Sequence, residues 1–398
     1  MITLKKKFSD SFNFVYNKFV LVRVDLNIPI VNGKVSDTTR IEKILPTINK
    51  LLENKAKIIL IAHMGRPKGK WNQDFSLKIL VDLMSEYLDK KIFFCDDSII
   101  SLNKSNLKDK FKNHDFILLE NIRFYSEEEK NDEDFIKKLS SLGDIFINEC
   151  FSGSHRKHAS IAGIPSYLPS FPGQLLETEI QNLKNLFLIS NELNRVAILG
   201  GAKMSTKIKL IQFYAEKFEK VLIGGAMANT LLKSDGIEIG ASLYEKKMID
   251  FSQEILRSSL YKKILLPVDF ITCDKKTVSK PKVRVLEEVL KDEIIYDIGP
   301  KTRMLFFNEI VKANVALWNG PLGMFEKQPF DEGTSFVLKS IEANKNKNFF
   351  SVAGGGDTIS ILNKLNCFND FSFVSTGGGA FLEFVQGASM PGLTSLNH

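Results

Sequence analysis

The sequence predicts an α/β protein of two Rossmann-like domains, each a mainly parallel sheet with helices on both faces, joined by a connector helix. Three observations carry this expectation. Short apolar runs alternate with longer amphipathic segments, the alternation occurs in two series, and a proline-rich break leading into one helical pattern separates them. Such alternation points to parallel sheets covered on both faces. The length of 398 residues suits two domains of about 150–200 residues each better than one.

In the first series the runs are Phe19–Asp25, Lys57–His63, Lys91–Asp97, Phe116–Glu120 and Asp144–Glu149. They are rich in Val, Ile, Leu and Phe with little polar alternation, as strands buried on both faces should be. Between the first two, Ile41, Ile44, Leu45, Ile48, Leu51 and Leu52 share one stripe of a helix predicted over Thr38–Lys55. Asp37 or Thr38 is placed to cap its start. The break carries Pro165, Pro169, Pro172 and Gly173, followed by a helical pattern through Leu175, Leu176, Ile180, Leu183 and Phe187. It reads either as an inter-domain connector or as a crossover helix inside one domain; the restart of strand pattern near Arg195 favours the connector. The second series is Val196–Gly200, Val221–Gly225, Ile264–Asp269, Ile294–Ile298, Val315–Trp318, Phe350–Ala353 and Phe373–Ser375. The expected organisation is a first domain over 1–172, a connector over 173–190 and a second domain over 191–385.

Composition excludes several partner classes. Hydrophobic residues make up 44% and charged residues 25%, an ordinary globular balance. The net charge of +7 is spread without long like-charge blocks or an RNA-binding aromatic signature, so no nucleic-acid partner is expected. No run of eighteen apolar residues occurs, and the opening MITLKKKFSDSF lacks a signal peptide's apolar core, so no membrane span or export is expected. Cys95, Cys150, Cys273 and Cys367 are far apart with no CxxC, which suggests neither zinc nor a disulfide framework and points to a reducing, cytoplasmic setting.

In open parallel sheets ligands bind beyond the carboxyl ends of the strands, and the unusual residues fall there. In the first half these are Asp25 and Asn27, His63 and Arg66, Arg123, and Arg156 between His155 and His158, with Arg40 opening the first helix. One arginine at a strand end is usually a surface ion pair. Several at one rim repel: two charges about 4 Å apart cost on the order of 4 kcal/mol at an effective dielectric near 20. A multiply charged anion relieves that repulsion, and the guanidinium fork suits phosphate and carboxylate. The second half instead carries glycine at its strand ends, including Gly354–Gly356 and Gly377–Gly379. Glycine lets backbone N–H groups approach phosphate. Gly355 and Gly356 lead into Asp357 and Thr358 at a helix start, with Asp357 placed for Mg²⁺. Lys203 and Lys207, four apart, are expected on one face of a helix after Gly200 and Gly201. No Walker GxxxxGK[ST], protein-kinase HRD or DFG, or GxGxxG sequence occurs.

The ordered segments RVDLNIPI (Arg23–Ile30), DTTRI (Asp37–Ile41), HMGRP (His63–Pro67), LLENIRF (Leu118–Phe124), HRKHAS (His155–Ser160), GGAKMSTKI (Gly200–Ile208), GGAMANT (Gly224–Thr230), DIGPKT (Asp297–Thr302), WNGPLGMFE (Trp318–Glu326), GGGDT (Gly354–Thr358) and STGGGAFLE (Ser375–Glu383) resemble the phosphoglycerate kinase family along nearly the whole chain. The resemblance implies Mg²⁺-dependent phosphoryl transfer between ATP and 3-phosphoglycerate, giving ADP and 1,3-bisphosphoglycerate, by a cytoplasmic monomer. It implies that Asp25, Asn27, Arg40, His63, Arg66, Arg123 and Arg156 hold the phosphoglycerate. It implies that Lys203, Lys207, Asn319, Glu326, Gly355, Gly356, Asp357 and Thr358 hold nucleotide and metal, with Glu326 on the ribose. It also implies that the tail, 386–398, packs back on the first domain. Lys207 and Arg40 are the expected stabilisers of the transferring group. The chain departs from the family at Glu149 and Ser152, where aspartate and glycine are usual, and at Ala62, often serine. The stretch Asn148–Ser152 is expected near the hinge, so these changes bear on domain closure.

Overall fold

The computed structural model describes residues 3–188, 194–275 and 280–397. The ends of the expected connector (189–190) and the expected start of the second domain (191–193) lie outside them, as does the last residue of the tail. The chain divides into two compact units, Met1–Asn182 with Gly379–His398, and Leu183–Gly378.

The first unit contains β1 (Phe19–Arg23), a short hairpin of β2 (Ile30–Val31) and β3 (Lys34–Val35), then β4 (Lys57–Ile61), β5 (Ile92–Cys95), β6 (Phe116–Leu119), β7 (Ile145–Asn148) and β8 (Ser170–Pro172). Its main sheet runs β5-β6-β4-β1-β7-β8 with every pair parallel. Val20, Val22, Ile58, Leu60, Leu118 and Ile147 share a core with Ile41, Ile44 and Ile48 of the helix Thr39–Glu53. The alternate positions Leu21, Ile59, Ile117 and Phe146 are buried as well, so both faces are covered. Each such side chain contributes about 1.5–3 kcal/mol through burial. Because all strands are parallel, Arg23 lies level with Ile61 and Asn148, and the residues that follow them emerge on one rim. Asp37 Oδ1 accepts the Thr39 N–H at 2.8 Å at the start of the first helix, whereas Thr38 makes no cap bond. The tail docks through Asn148 Nδ2 to Gly392 O at 3.1 Å and the Gly392 N–H to Ser154 O at 2.9 Å.

The second unit contains β9 (Arg195–Leu199), β10 (Lys220–Ile223), β11 (Ile264–Leu265), β12 (Asp269–Asp274), β13 (Lys282–Val285), β14 (Glu293–Ile298), β15 (Val315–Asn319), β16 (Phe350–Gly354) and β17 (Phe373–Ser375). A parallel sheet runs β11-β10-β9-β15-β16-β17. A separate antiparallel sheet runs β13-β12-β14. Two strand expectations are corrected here. Ile264–Asp269 is not one strand: it ends at Leu265 before Pro267, which has no N–H for a ladder, and Asp269 begins β12 in the other sheet. The run around Ile294–Ile298 pairs antiparallel with β12 and does not join the parallel sheet. An apolar run reads alike in both settings, and pairing depends on distant partners.

Candidate active site

On the first unit, loop geometry after β1 and β4 places the predicted anion ligands. Asp25 Oδ1 accepts the Asn27 N–H at 2.9 Å and lies 3.3 Å from Arg40 Nη1, which also donates to Asn27 O. Asn27 Oδ1 accepts the Gly65 N–H at 2.8 Å. Arg123 donates through Nη1 to Gly65 O at 2.8 Å, and Asn121 Nδ2 pins the same turn through Met64 O and Phe75 O. Arg66 follows Gly65 and is exposed. Arg156 Nε lies 3.1 Å from His155 Nε2. Asp25, Asn27, Arg40 and Arg123 are thus linked through Asn27 and Gly65, His63 and Arg66 flank Gly65 on the same segment, and Arg156 lies in the segment that also carries His158.

The electrostatics follow from burial and crowding of positive charge. Burial acts to raise the Asp25 pKa, but Arg40, the Ser152 hydroxyl and the Asn27 N–H together hold it at about 2. His63 is driven well below its usual pKa, by burial first and then by Arg23, against the pull of Asp25. His158 falls to about 3 through burial, Arg123, Arg23 and Arg156. Burial, Arg23 and Arg156 bring even Arg123 down to about 10. Neutral histidines among cations describe a rim that a polyanion would relieve.

Two groups have contacts that the sequence alone does not reveal. Arg23, at the end of the first strand, is 1% exposed and bonded to Ser160 and His63. Its signal was an arginine inside an apolar run. Glu149 reaches the first turn of the helix Gln174–Leu188: Oε1 accepts the Leu175 N–H at 3.0 Å and a Thr47 hydroxyl, and Oε2 accepts the Leu176 N–H at 3.2 Å. A Cβ on Gly173 would lie 2.0 Å from Glu149 Oε2, so only glycine lets this carboxylate in. Burial raises the Glu149 pKa to about 7. Ser152 donates to Asp25 Oδ2.

On the second unit the phosphate-type features converge. Gly355, with φ +102°, precedes the helix Gly356–Leu365, and a Cβ there would lie 2.3 Å from Asn319 Nδ2. Asn319 Nδ2 donates to Gly354 O at 2.6 Å, and Thr358 Oγ1 accepts the Gly320 N–H at 2.8 Å. Lys207 Nζ donates to Gly200 O at 2.7 Å and Asn319 O at 3.3 Å. Burial lowers its pKa to about 8, with Asp357 opposing. The expected helical pairing of Lys203 with Lys207 is corrected: Lys203 is extended before a 3₁₀ turn at Met204–Thr206, and the helix begins only at Ile208. Lys203 is exposed. A cleft of 310 Å³ beside this rim is lined by Ala226, Leu243, Tyr296, Leu322 and Phe325, and by Glu326 and Asp357. Asp297, a further lining residue, accepts N–H groups of Ile298 and Gly333 and is raised to about 7 by burial.

No cluster of three or more His, Cys, Asp or Glu side chains able to hold a metal occurs among the described residues. Asp357 offers an exposed carboxylate in the first turn of its helix. That donor set fits Mg²⁺, which usually takes one or two carboxylates together with substrate phosphates.

Comparison with known proteins gives the family. Residues 10–388 match the family model described as phosphoglycerate kinase. Phosphoglycerate kinase of Orientia tsutsugamushi (strain Ikeda) is 43% identical over 96% of this chain and 95% of its own length. That of Rhizobium meliloti is 41% identical over 97% and 98%. The solved phosphoglycerate kinase of Coxiella burnetii superposes with a TM-score of 0.83 at 35% identity, covering 96% of each chain. That of Pyrococcus horikoshii does so at 0.82 and 29%, covering 98% of each. The chain belongs to the phosphoglycerate kinase family.

Proposed function

We infer that Asp25, Asn27, Arg40, His63, Arg66, Arg123 and Arg156 bind 3-phosphoglycerate on the first unit. On the second, Lys203, Lys207, Asn319, Glu326 and Gly355–Thr358 bind the nucleotide. Family membership fixes the reaction: reversible phosphoryl transfer between ATP and the carboxylate of 3-phosphoglycerate. The observation that carries the residue assignment is the pairing of a cation-lined rim on one unit with the Lys207–Asn319–Gly355 cradle on the other.

The acceptor is a carboxylate already ionised at neutral pH, so no general base is needed. The low pKa values of His63 and His158 agree with ligand roles and not with proton shuttling. Arg40 and Lys207 neutralise charge on the transferring group, and alignment supplies roughly 7–11 kcal/mol of the barrier. Asp357 would hold Mg²⁺ brought with the nucleotide, which would supply further charge neutralisation. The 310 Å³ cleft suits the adenosine moiety, with Glu326 on the ribose. The two ligands are assigned to different units, so transfer requires closure, for which we take the helix Gln174–Leu188 as the hinge. We take a monomer as the working unit. The four free thiols agree with a reducing compartment such as the cytoplasm.

A coupled assay of 3-phosphoglycerate-dependent ADP release tests the assignment. Wild type is expected to be active, and Arg40→Ala to lose roughly 10²–10³-fold in kcat/KM, the scale for removing one charge stabiliser. Full activity in Arg40→Ala would contradict it.

A further inference from the structure

At 1% exposure Arg23 cannot meet a ligand on the rim, yet it is wired to one residue that can. A guanidinium has donors only, so the direction of each of its bonds is fixed. Nε donates to Ser160 Oγ at 2.8 Å. The Ser160 hydroxyl proton then goes to Glu128 Oε1 at 2.6 Å, while Glu128 Oε2 accepts the Ser160 N–H at 2.8 Å. Nη1 donates to Val24 O. Nη2 lies 3.0 Å from His63 Nδ1. Since Nη2 can only donate, Nδ1 must accept and carries no proton. A neutral imidazole then bears its proton on Nε2, the nitrogen left for a ligand. Burial and the surrounding cations keep the ring neutral, and fully buried Glu128 offsets the Arg23 charge through Ser160.

We propose that Arg23 is a positioning residue for the reaction, fixing His63 in the Nε2–H form so that the ring offers a donor to the substrate's anionic oxygens. In the opposite tautomer two N–H groups would face each other at 3.0 Å, and the ring would turn a lone pair towards an anion. The proposal rests on the assignment of His63 to 3-phosphoglycerate.

Nitrogen NMR of the full chain with labelled histidines tests it, since there are only five and His63→Gln assigns the signal. Near pH 7 the wild-type signal is expected to show protonated Nε2 and bare Nδ1. Arg23→Met is expected to move His63 towards the Nδ1–H form. It should raise the KM for 3-phosphoglycerate roughly tenfold, the loss of one hydrogen bond to a charged group, with the KM for ATP unchanged. His63→Gln, whose amide nitrogen stands near the Nε2 position, should keep most of the affinity, and His63→Asn should lose it. If Arg23→Met does not fold, the wild-type spectrum and the Gln/Asn pair decide. Protonated Nδ1 in the wild type, an Arg23→Met variant with an unchanged His63 signal, or equal affinity of His63→Gln and His63→Asn overturns the proposal. An Nε2–H signal that does not move on adding 3-phosphoglycerate overturns instead the substrate assignment beneath it.

Discussion

Under the proposed assignment the two rims hold a polyanion with different materials. On the first unit the positive charge sits on arginine side chains, and burial, with their repulsion second to it, depresses the pKa values of His63, His158 and Arg123. Keeping them in place requires acidic counterparts, among them half-buried Asp25 and buried Glu128. On the second unit the polar groups are largely backbone, shaped by Gly355 and Gly320, with Lys207 as a half-buried cation. The difference teaches that side-chain rims are vulnerable to loss of charge, whereas backbone rims are vulnerable to added bulk.

That contrast can be broken by substitution. The largest effect is expected for Lys207→Ala, which removes the half-buried cation and should lower kcat roughly 10²–10³-fold with little change in thermal stability. A loss appearing only as a raised KM for 3-phosphoglycerate would place Lys207 on the wrong rim. Next, Gly355→Ala forces a Cβ to 2.3 Å from Asn319 Nδ2 at φ +102°. The backbone strain alone is on the order of 1–3 kcal/mol, so the KM for ATP should rise about tenfold or more while that for 3-phosphoglycerate stays put.

A pH series sharpens the contrast further. Lys207 titrates at about 8 in the free protein because burial disfavours its charge. ATP binding should weaken several-fold as pH rises through that value, and Lys207→Arg should flatten the profile, since arginine keeps its proton. The linked stability has the opposite slope. Between the folded pKa of about 8 and the unfolded one of about 10.4, the unfolded chain binds more protons, so this group adds stability as pH rises. The smallest effect belongs to Ser152→Gly, which returns the family's usual residue and removes one donor to Asp25. A change of about twofold in the KM for 3-phosphoglycerate is expected, because Arg40 still lowers the Asp25 pKa.

Much of this was legible in the sequence because parallel strands buried on both faces leave long apolar runs, and because ligand groups must follow their carboxyl ends. The register of β1 against β4 and β7 turns that rule into a shared rim for Asp25 and His63. What was not legible depended on partners far along the chain. The antiparallel pairing of β12 with β14 looks locally like any other apolar run. The burial of Arg23 requires Ser160 and Glu128 to arrive from other elements, and an arginine is by default a surface residue. Glu149 stood out only as a departure; that its extra methylene reaches the N–H groups of Leu175 and Leu176 requires the sheet and helix together. Lys203 and Lys207 were misplaced because spacing alone cannot tell a 3₁₀ turn from the first turn of an α-helix.

The most direct measurement of the central claim is separate titration calorimetry of 3-phosphoglycerate and of ATP with Mg²⁺ against wild type, Arg40→Ala and Gly355→Ala. The two-rim account predicts a crossed result: Arg40→Ala loses 3-phosphoglycerate binding and keeps ATP, and Gly355→Ala does the reverse. Loss of both ligands in either folded variant, or of neither, would contradict it.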